Sequence, residues 1–428
     1  MNSVENKLLE QLNCDNLEMR LDALEKLTKT AKQTQTDTNG HFEDVNNHIH
    51  TKYSFSPYYP AAAIWMSKQA GLATAGIVDH DSISGAREFI KAGEIAGVPV
   101  TIGAEVRASM KGTALEGKKL NNPDQNSIAY MTLQGVPHTQ IDKLDAYLAP
   151  YREKRNQRNR KMTVILDEMF KPYGISLDFD NDVVPLSKSD EGGSITERHI
   201  LFALSLNMIK VYGRGQKLVD FLKNDVKLNV SAKLEGFLLD TENPHYDYDL
   251  LGLLKGELVA KFYIEADEEC PPVREIIAFA KEIGAISAYA YLGDVGDSVT
   301  GDKKAAKFED DYLPLLFDTI AELGFDAVTY MPSRNTAAQL ENVRNFCDKY
   351  NLFQVSGEDI NSSRQKFVCE KMRSEEFANL VGAAWTLIGH EKEATKDMNN
   401  AFMSKATVEK YPTLEERAAY FEKIGRGK

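Results

Sequence analysis

The residues best placed to do chemistry are two histidines one position apart, His48 and His50 in NNHIHTKYS, followed by Asp79-His80-Asp81 and by Glu105 in VTIGAEV. Side chains at i and i+2 of an extended strand share a face, so both imidazoles can reach one cation from a single strand end. His80 follows the apolar stretch Ala75-Gly76-Ile77-Val78, and Glu105 closes the stretch that starts at Val98. Three strand ends thus deliver imidazole and carboxylate, donors that suit zinc, manganese or iron. A fourth strand end, after Leu352–Ser356, again carries carboxylates, Glu358-Asp359.

The elements that must position these residues alternate along the chain. A helix is expected from about Pro60 to Ala70, a strand at 73–78, a helix near 84–96 and a strand at 98–104. Alternation resumes with helix Pro272–Ile283, strand Ala285–Tyr291, helix Tyr312–Leu323, strand Ala327–Tyr330, helix Thr336–Lys349 and strand Leu352–Ser356. Such repeats favour parallel strands joined by crossover helices, with ligands gathering at the carboxyl ends of the strands. Between them the rhythm is lost, and 112–270 reads as an inserted, mainly helical subdomain. Its long helix Tyr151–Met169 is rich in Arg and Lys, and Ile195–Leu206 and Gln216–Leu222 are helical in pattern. The domain plan is then a helical segment and polar linker over 1–40, with the break at Thr34–Gly40. A barrel follows over 41–111 and 271–362, and a helical extension over 363–428.

A chain of 428 residues with 43% hydrophobic and 27% charged residues has the composition of a soluble globular protein. No apolar run approaches the roughly 20 residues that span a bilayer, and the start, MNSVENKLLEQL, lacks a basic region before an apolar core. A cytoplasmic location is expected. Cys14, Cys270, Cys347 and Cys369 are too dispersed for a zinc ribbon or a disulfide framework. The net charge of −13 disfavours broad binding to nucleic acid or anionic membrane. The run Arg152–Lys161 is the one stretch that could follow a polyanion, and it reads as a solvated helix face. No glycine-rich phosphate cradle is present. His138 after Val136-Pro137 could serve as a distant ligand from the insert, although a loop histidine without partners is normally only exposed, and His41, His245 and His390 have no recognisable context.

Taken together, the motifs resemble the PHP family, the polymerase and histidinol phosphatase superfamily of metal-dependent phosphoesterases. HIHTKYSFSP is similar to the family's HTHTTxSDG, and GLATAGIVDHDSISGAREFIKAGEIAGVPVTIGAEV to its second and third motifs. ITERHILFAL resembles the RPHIARAL segment of the bacterial branch with a helical insert, EIGAISAYAYLGD its GGVAVLAHPG stretch, and LFQVSGEDINS its LVTGGSDFHG. The resemblance covers roughly 44–362. It implies an α/β fold, a distorted TIM-like (β/α)7 barrel with the helical insert, and phosphate-ester hydrolysis at a metal cluster on the carboxyl ends of the strands.

Departures from the family pattern narrow that expectation. Phe55 stands at the acidic or histidine position after the first motif, and Ala129 or Tyr130 where a histidine follows the glutamate motif. Tyr291 replaces the histidine of AHPG, and Asn361 the last histidine of the SDxH motif. The resemblance then implies one divalent ion per chain, held by His48, His50, Glu105 and Asp359. Asp79, His80 and His199 match family positions without most of the partners for further ions.

A one-ion site needs another group to neutralise charge, and Arg198 or Arg334 could supply it because guanidinium binds phosphate bidentately. His80 could act as general acid or base, or hydrogen-bond Asp359. Tyr291 could ligate as phenolate, donate a hydrogen bond, or fill a vacated site. The expected activity is hydrolysis of a small phosphorylated metabolite or nucleotide. The alternative is a reduced barrel that binds a phosphorylated ligand without turnover. An exonuclease is a third reading, which the basic helix would favour. Oligomeric state does not follow from the sequence.

Overall fold

A computed structural model describes residues 3–31, 43–295 and 307–428; the linker expected at Thr34–Gly40 and His41 lie outside the described residues. Seven strands form one sheet in sequential order: β1 Val45–Ile49, β2 Thr74–His80, β3 Val100–Ser109, β4 Ile128–Gln134, β5 Ile286–Ala290, β6 Ala327–Tyr330 and β7 Phe353–Ser356. β1 to β3 run parallel, β4 is antiparallel to both neighbours, and β5 to β7 are parallel again. A bridge from Ile49 to Ile360 brings the two ends of the sheet together, with His50 N donating to Ile360 O and Ile360 N to His48 O, each at 3.0 Å. The result is the nearly closed, distorted TIM-like barrel that the alternation and the resemblance imply.

The closure depends on Gly357. A Cβ there would meet His48 N at 2.5 Å, so a side chain would push β7 away from β1 and carry Asp359 with it. Overpacking of this kind costs about 1–3 kcal/mol. Asn47 Nδ2 reinforces the seam by donating to Ser356 O at 3.1 Å.

Helices α1 Ser3–Gln11 and α2 Leu17–Thr30 pack outside α3 Pro60–Gln69 and α4 Ala86–Ala96. Buried Arg20 of α2 holds Glu88 of α4 through Nε at 2.8 Å and Nη2 at 2.5 Å. α4 turns its apolar stripe, Ala86, Phe89, Ala92 and Ala96, to the barrel, and it ends at Gly97 in the left-handed conformation, φ 68°.

The span 112–270 is not helical throughout. β4 lies within it and completes the sheet, pairing Arg107 with Tyr130 across β3 and Met131 with Tyr289 across β5. The helices of that span are α5 Ile141–Phe170, α6 Glu197–Tyr212, α7 Gln216–Asp220, α8 Ala232–Leu239 and α9 Tyr246–Phe262. They enclose an apolar core of their own around Met162, Leu166, Phe170, Leu204 and Leu254. α5 starts ten residues before the expected Tyr151 and runs through Pro150. Pro150 sits at an exposed position there, where the lost N–H costs least.

α10 Val273–Glu282, α11 Leu313–Leu323 and α12 Ala337–Tyr350 complete the crossovers, and α13 Ala378–Lys396, α14 Lys405–Lys410 and α15 Leu414–Gly425 form the tail. Glu391 of α13 caps the start of β3, accepting from Ile102 N at 2.8 Å and from Thr101 Oγ1. His138 Nε2 lies 3.3 Å from the same carboxylate, so this histidine has a partner that its loop setting concealed. His390 is fully buried, with Nε2 on Gly135 O at 2.8 Å and Nδ1 accepting from Phe402 N at 2.9 Å.

Candidate metal centre

His48 and His50 leave the end of β1 on one face, their ring centroids 5.1 Å apart. β2 ends at His80, whose register partner on β3 is Glu105. Glu105 therefore faces three imidazoles: Oε1 is 3.6 Å from His48 Nε2, and Oε2 is 3.7 Å from His50 Nε2 and 2.9 Å from His80 Nδ1. Asp359 comes in from beyond β7, with Oδ1 3.2 Å from His50 Nε2. Two groups share His50: His48, His50 and Asp359, and His50, His80 and Glu105, each with its donor atoms within 4.8 Å of one another.

The spacings separate two kinds of contact. Donors about 2.1 Å from a tetrahedral ion stand about 3.4 Å from one another. The contacts among His48, His50, Glu105 and Asp359, from 3.2 to 3.7 Å, fit that spacing. The 2.9 Å contact of His80 with Glu105 is a hydrogen-bond length instead. His80 thus pairs with Glu105 and not with Asp359, the partner considered from sequence. Its ring stacks on His50 at 4.4 Å and lies 5.7 Å from Tyr130.

His50 supplies the test of fit for a cation. Its Nδ1 lies 3.4 Å from Ser54 Oγ, and that hydroxyl donates its proton to Asp79 Oδ1 at 2.6 Å. Ser54 can then only accept, which places the imidazole proton on Nδ1 and leaves a lone pair on Nε2. That Nε2, so unprotonated, is fully buried, has no hydrogen-bond partner among the described residues and faces two carboxylates. A lone pair aimed at anions is unfavourable without a positive charge between them, so the donor set fits a divalent ion.

Electrostatics keep the carboxylates ionised. Burial opposes charge on Glu105, yet His80 and His48 hold it well below the usual carboxylate range. Burial opposes charge on Asp359 too, yet it is held well below its ordinary value, with the His48 and Arg198 charges contributing. His48 is raised against its burial by Glu105 and Asp359, whereas burial wins at His80 and lowers it.

The other sequence candidates lie around these groups. Asp79 accepts from Thr51 N and Thr51 Oγ1, both at 2.6 Å, as well as from Ser54; it fixes the turn after β1. Asn361 donates through Nδ2 to Asp359 Oδ1 at 2.5 Å and accepts from Arg198, so it links that arginine to the site. Arg334 donates from Nε to Leu292 O at 3.3 Å and makes no ion pair among the described residues. Burial lowers it. Tyr291 donates its phenol proton to Asp310 Oδ1 at 2.5 Å and so takes the hydrogen-bonding role. His199 accepts from Thr196 N at 2.9 Å in a capping box at the start of α6, and its ring meets Phe55 edge-on at 5.0 Å. His245 sits apart, its Nδ1 2.7 Å from Ser363 Oγ.

The basic run on α5 is a solvated face only in part: Lys154, Arg160 and Lys161 are exposed, but the other arginines are not. Arg152, Arg155 and Arg158, at helical spacing, are buried. Arg155 reaches Asp81 Oδ2 at 2.6 Å and Glu197 Oε2 at 2.7 Å; Arg158 reaches Glu269 Oε2 at 2.7 Å and also Glu197. Arg107, two residues beyond Glu105 on β3, joins them by pairing with Glu269 and lying 3.7 Å from Glu197. These acids are remote in sequence from α5, so the run reads as a charged stripe until the fold is known. The signal that could have been used was Arg107 itself, a charge inside an apolar strand.

No protein-family model and no curated protein matches the chain. Among solved structures it is similar to a Bifidobacterium adolescentis protein assigned provisionally as a metal-dependent phosphoesterase. That likeness has a TM-score of 0.52 and 21% identity, over 78% of this chain and 94% of that one. It is also similar to an amidohydrolase from Chromobacterium violaceum, solved with sulfate and no metal, with a TM-score of 0.50 and 16% identity over 76% and 90% of the two chains. At these identities the likeness establishes the fold.

Proposed function

We propose that this protein is a metal-dependent phosphoesterase of the PHP type, acting on a small phosphorylated metabolite or nucleotide. The observation that carries the reading is the set His48, His50, Glu105 and Asp359, at ligand spacing around the buried His50 Nε2, which has no hydrogen-bond partner among the described residues. Imidazole and carboxylate together suit manganese, zinc or iron, at one ion per chain. When bound, such an ion supplies Lewis-acid polarisation of a phosphoryl oxygen and acidifies water in the site.

The chain's own groups supply the rest. His80 donates a hydrogen bond from Nδ1–H to the ionised Glu105, which leaves the Nε2 lone pair to accept a proton from attacking water. Arg334, with no ion pair among the described residues, can meet a phosphoryl oxygen, and Arg198, tethered through Asn361, can meet a second. The buried arginines of α5 withdraw support from the exonuclease reading. No helix among the described residues is long and apolar enough to cross a membrane, in keeping with the proposed cytoplasmic location.

A second reading, ligand binding without turnover, is favoured by Phe55. It stands where the family carries a ligand, and its ring packs against His199 and against Phe202 at 5.7 Å. Metal content by plasma mass spectrometry, with p-nitrophenyl phosphate turnover under added manganese, zinc and iron, separates the readings. About one ion per chain with metal-dependent turnover supports the phosphoesterase. Bound ion without turnover supports the binding protein, and absence of bound ion overturns the metal centre.

A further inference from the structure

We infer that Asp81, gripped by Arg155 of α5, is a positioning residue that sets the aim of His80 at the metal centre. The inference rests on the metal reading above and extends it to the helical segment.

Asp81 is the residue immediately after His80, and its backbone is left-handed, φ 50°. Asp is among the few residues that adopt this region without glycine's freedom, and it persists there only when its surroundings hold it. Here its N–H, its carbonyl and one carboxylate oxygen each have a partner. Asp81 N donates to Glu105 O at 2.7 Å, its carbonyl accepts from Arg152 Nη1 at 3.1 Å, and its Oδ2 accepts from Arg155 Nη1 at 2.6 Å. Two of the three contacts come from α5. The turn leaving β2 cannot rotate without breaking them, and the His80 ring hangs from the peptide just before it.

The pairing is buried. Arg107, Arg155 and Arg158 balance Asp81, Glu197 and Glu269 between the barrel and the helical segment. Burial of ion pairs offers little net stability compared with apolar packing, and their best-attested use is to specify one arrangement. The Asp81–Arg155 pair is the member of this set next to His80 and its 2.9 Å contact with Glu105, the carboxylate that serves two of the proposed ligand contacts. Mutating a partner of a metal ligand typically costs about 10- to 100-fold in metal affinity.

The test is cobalt(II) titration of the full-length chain, reading affinity by chelator competition and site geometry from the visible d–d bands. Asp81→Asn keeps the left-handed turn and the side-chain volume, and is expected to weaken cobalt roughly tenfold and to shift the bands. Arg155→Met is expected to act alike, with Arg155→Lys restoring most of the loss; if Arg155→Met does not fold, Asp81→Asn carries the test. Arg158→Met removes an equally buried charge but makes no contact with Asp81 among the described residues, and is expected to leave affinity and bands unchanged. Wild-type affinity and bands in Asp81→Asn would overturn the inference while the metal reading stands. So would equal weakening by Arg158→Met, since general docking of the helical segment would then set the site. A wild-type chain that binds no cobalt would overturn the metal reading and the inference with it.

Discussion

His80 and Glu105 are register partners on adjacent parallel strands, and their side chains meet at 2.9 Å. A backbone pairing has therefore placed an imidazole against the carboxylate that also faces His48 and His50. Removing the charge of Glu105 deprives all three histidines of their common anion. Glu105→Gln keeps the shape and is expected to lower metal affinity by more than about 100-fold, above the range for an outer partner, and to abolish turnover. The fold should persist by circular dichroism. Retained turnover in that variant would remove Glu105 from the centre.

Ser54 acts one bond further out. Its hydroxyl fixes the tautomer of His50 by donating to Asp79 and accepting from Nδ1. Ser54→Ala frees the ring to place its proton on Nε2, where it blocks a ligand bond. The expected result is a loss of metal affinity of roughly 10- to 100-fold with a stability cost of about 1 kcal/mol. Affinity is read by chelator competition and stability by urea unfolding. Unchanged affinity would mean that Nε2 is presented without help from Ser54.

The parts of the centre legible in the sequence were those set by strand ends. His48 and His50 share a face because of the two-residue period, and His80, Glu105 and Asp359 each close an apolar run, so local pattern was enough. β4 was missed because its segment, Ile128–Gln134, follows a long irregular connection and is antiparallel, outside the strand-helix alternation. The buried face of α5 was missed for a different reason. Arg155 and Arg158 look like solvent-facing charges until Glu197 and Glu269, remote along the chain, are brought to them. Pairing between distant elements leaves no local period to read.

Arg334 and Arg198 are distinguishable by their partners. Arg334 is partly buried with no ion pair among the described residues, so Arg334→Met removes an unpaired cation and should not lower thermal stability. If it meets the phosphoryl group, kcat/KM is expected to fall about 100-fold with metal content unchanged. Arg198→Met instead unties Asn361, which donates to Asp359, so metal content should fall together with turnover. Steady-state kinetics beside metal analysis of both variants checks the contrast. Full activity in Arg334→Met would assign charge neutralisation to another group.

His199 makes the acid limit of the fold testable. Burial, followed by the Lys52 and Arg155 cations, pushes its imidazole from the ordinary 6.5 down to about 3. Between those values the unfolded chain takes up a proton that the folded chain refuses. The stability held in the neutral ring is thus complete above pH 6.5 and is lost as pH falls toward 3. Glu or Gln usually fills this position of a capping box, so His199→Gln keeps the α6 cap and removes the titration. The stability difference between wild type and variant is expected to swing by roughly 3 kcal/mol in the variant's favour between pH 7.5 and pH 4. His390, lowered to about 4 by its own burial, is common to both proteins and cancels from the comparison. Denaturant unfolding at the two pH values measures the swing, and a flat difference would show that the fold accepts a proton on His199.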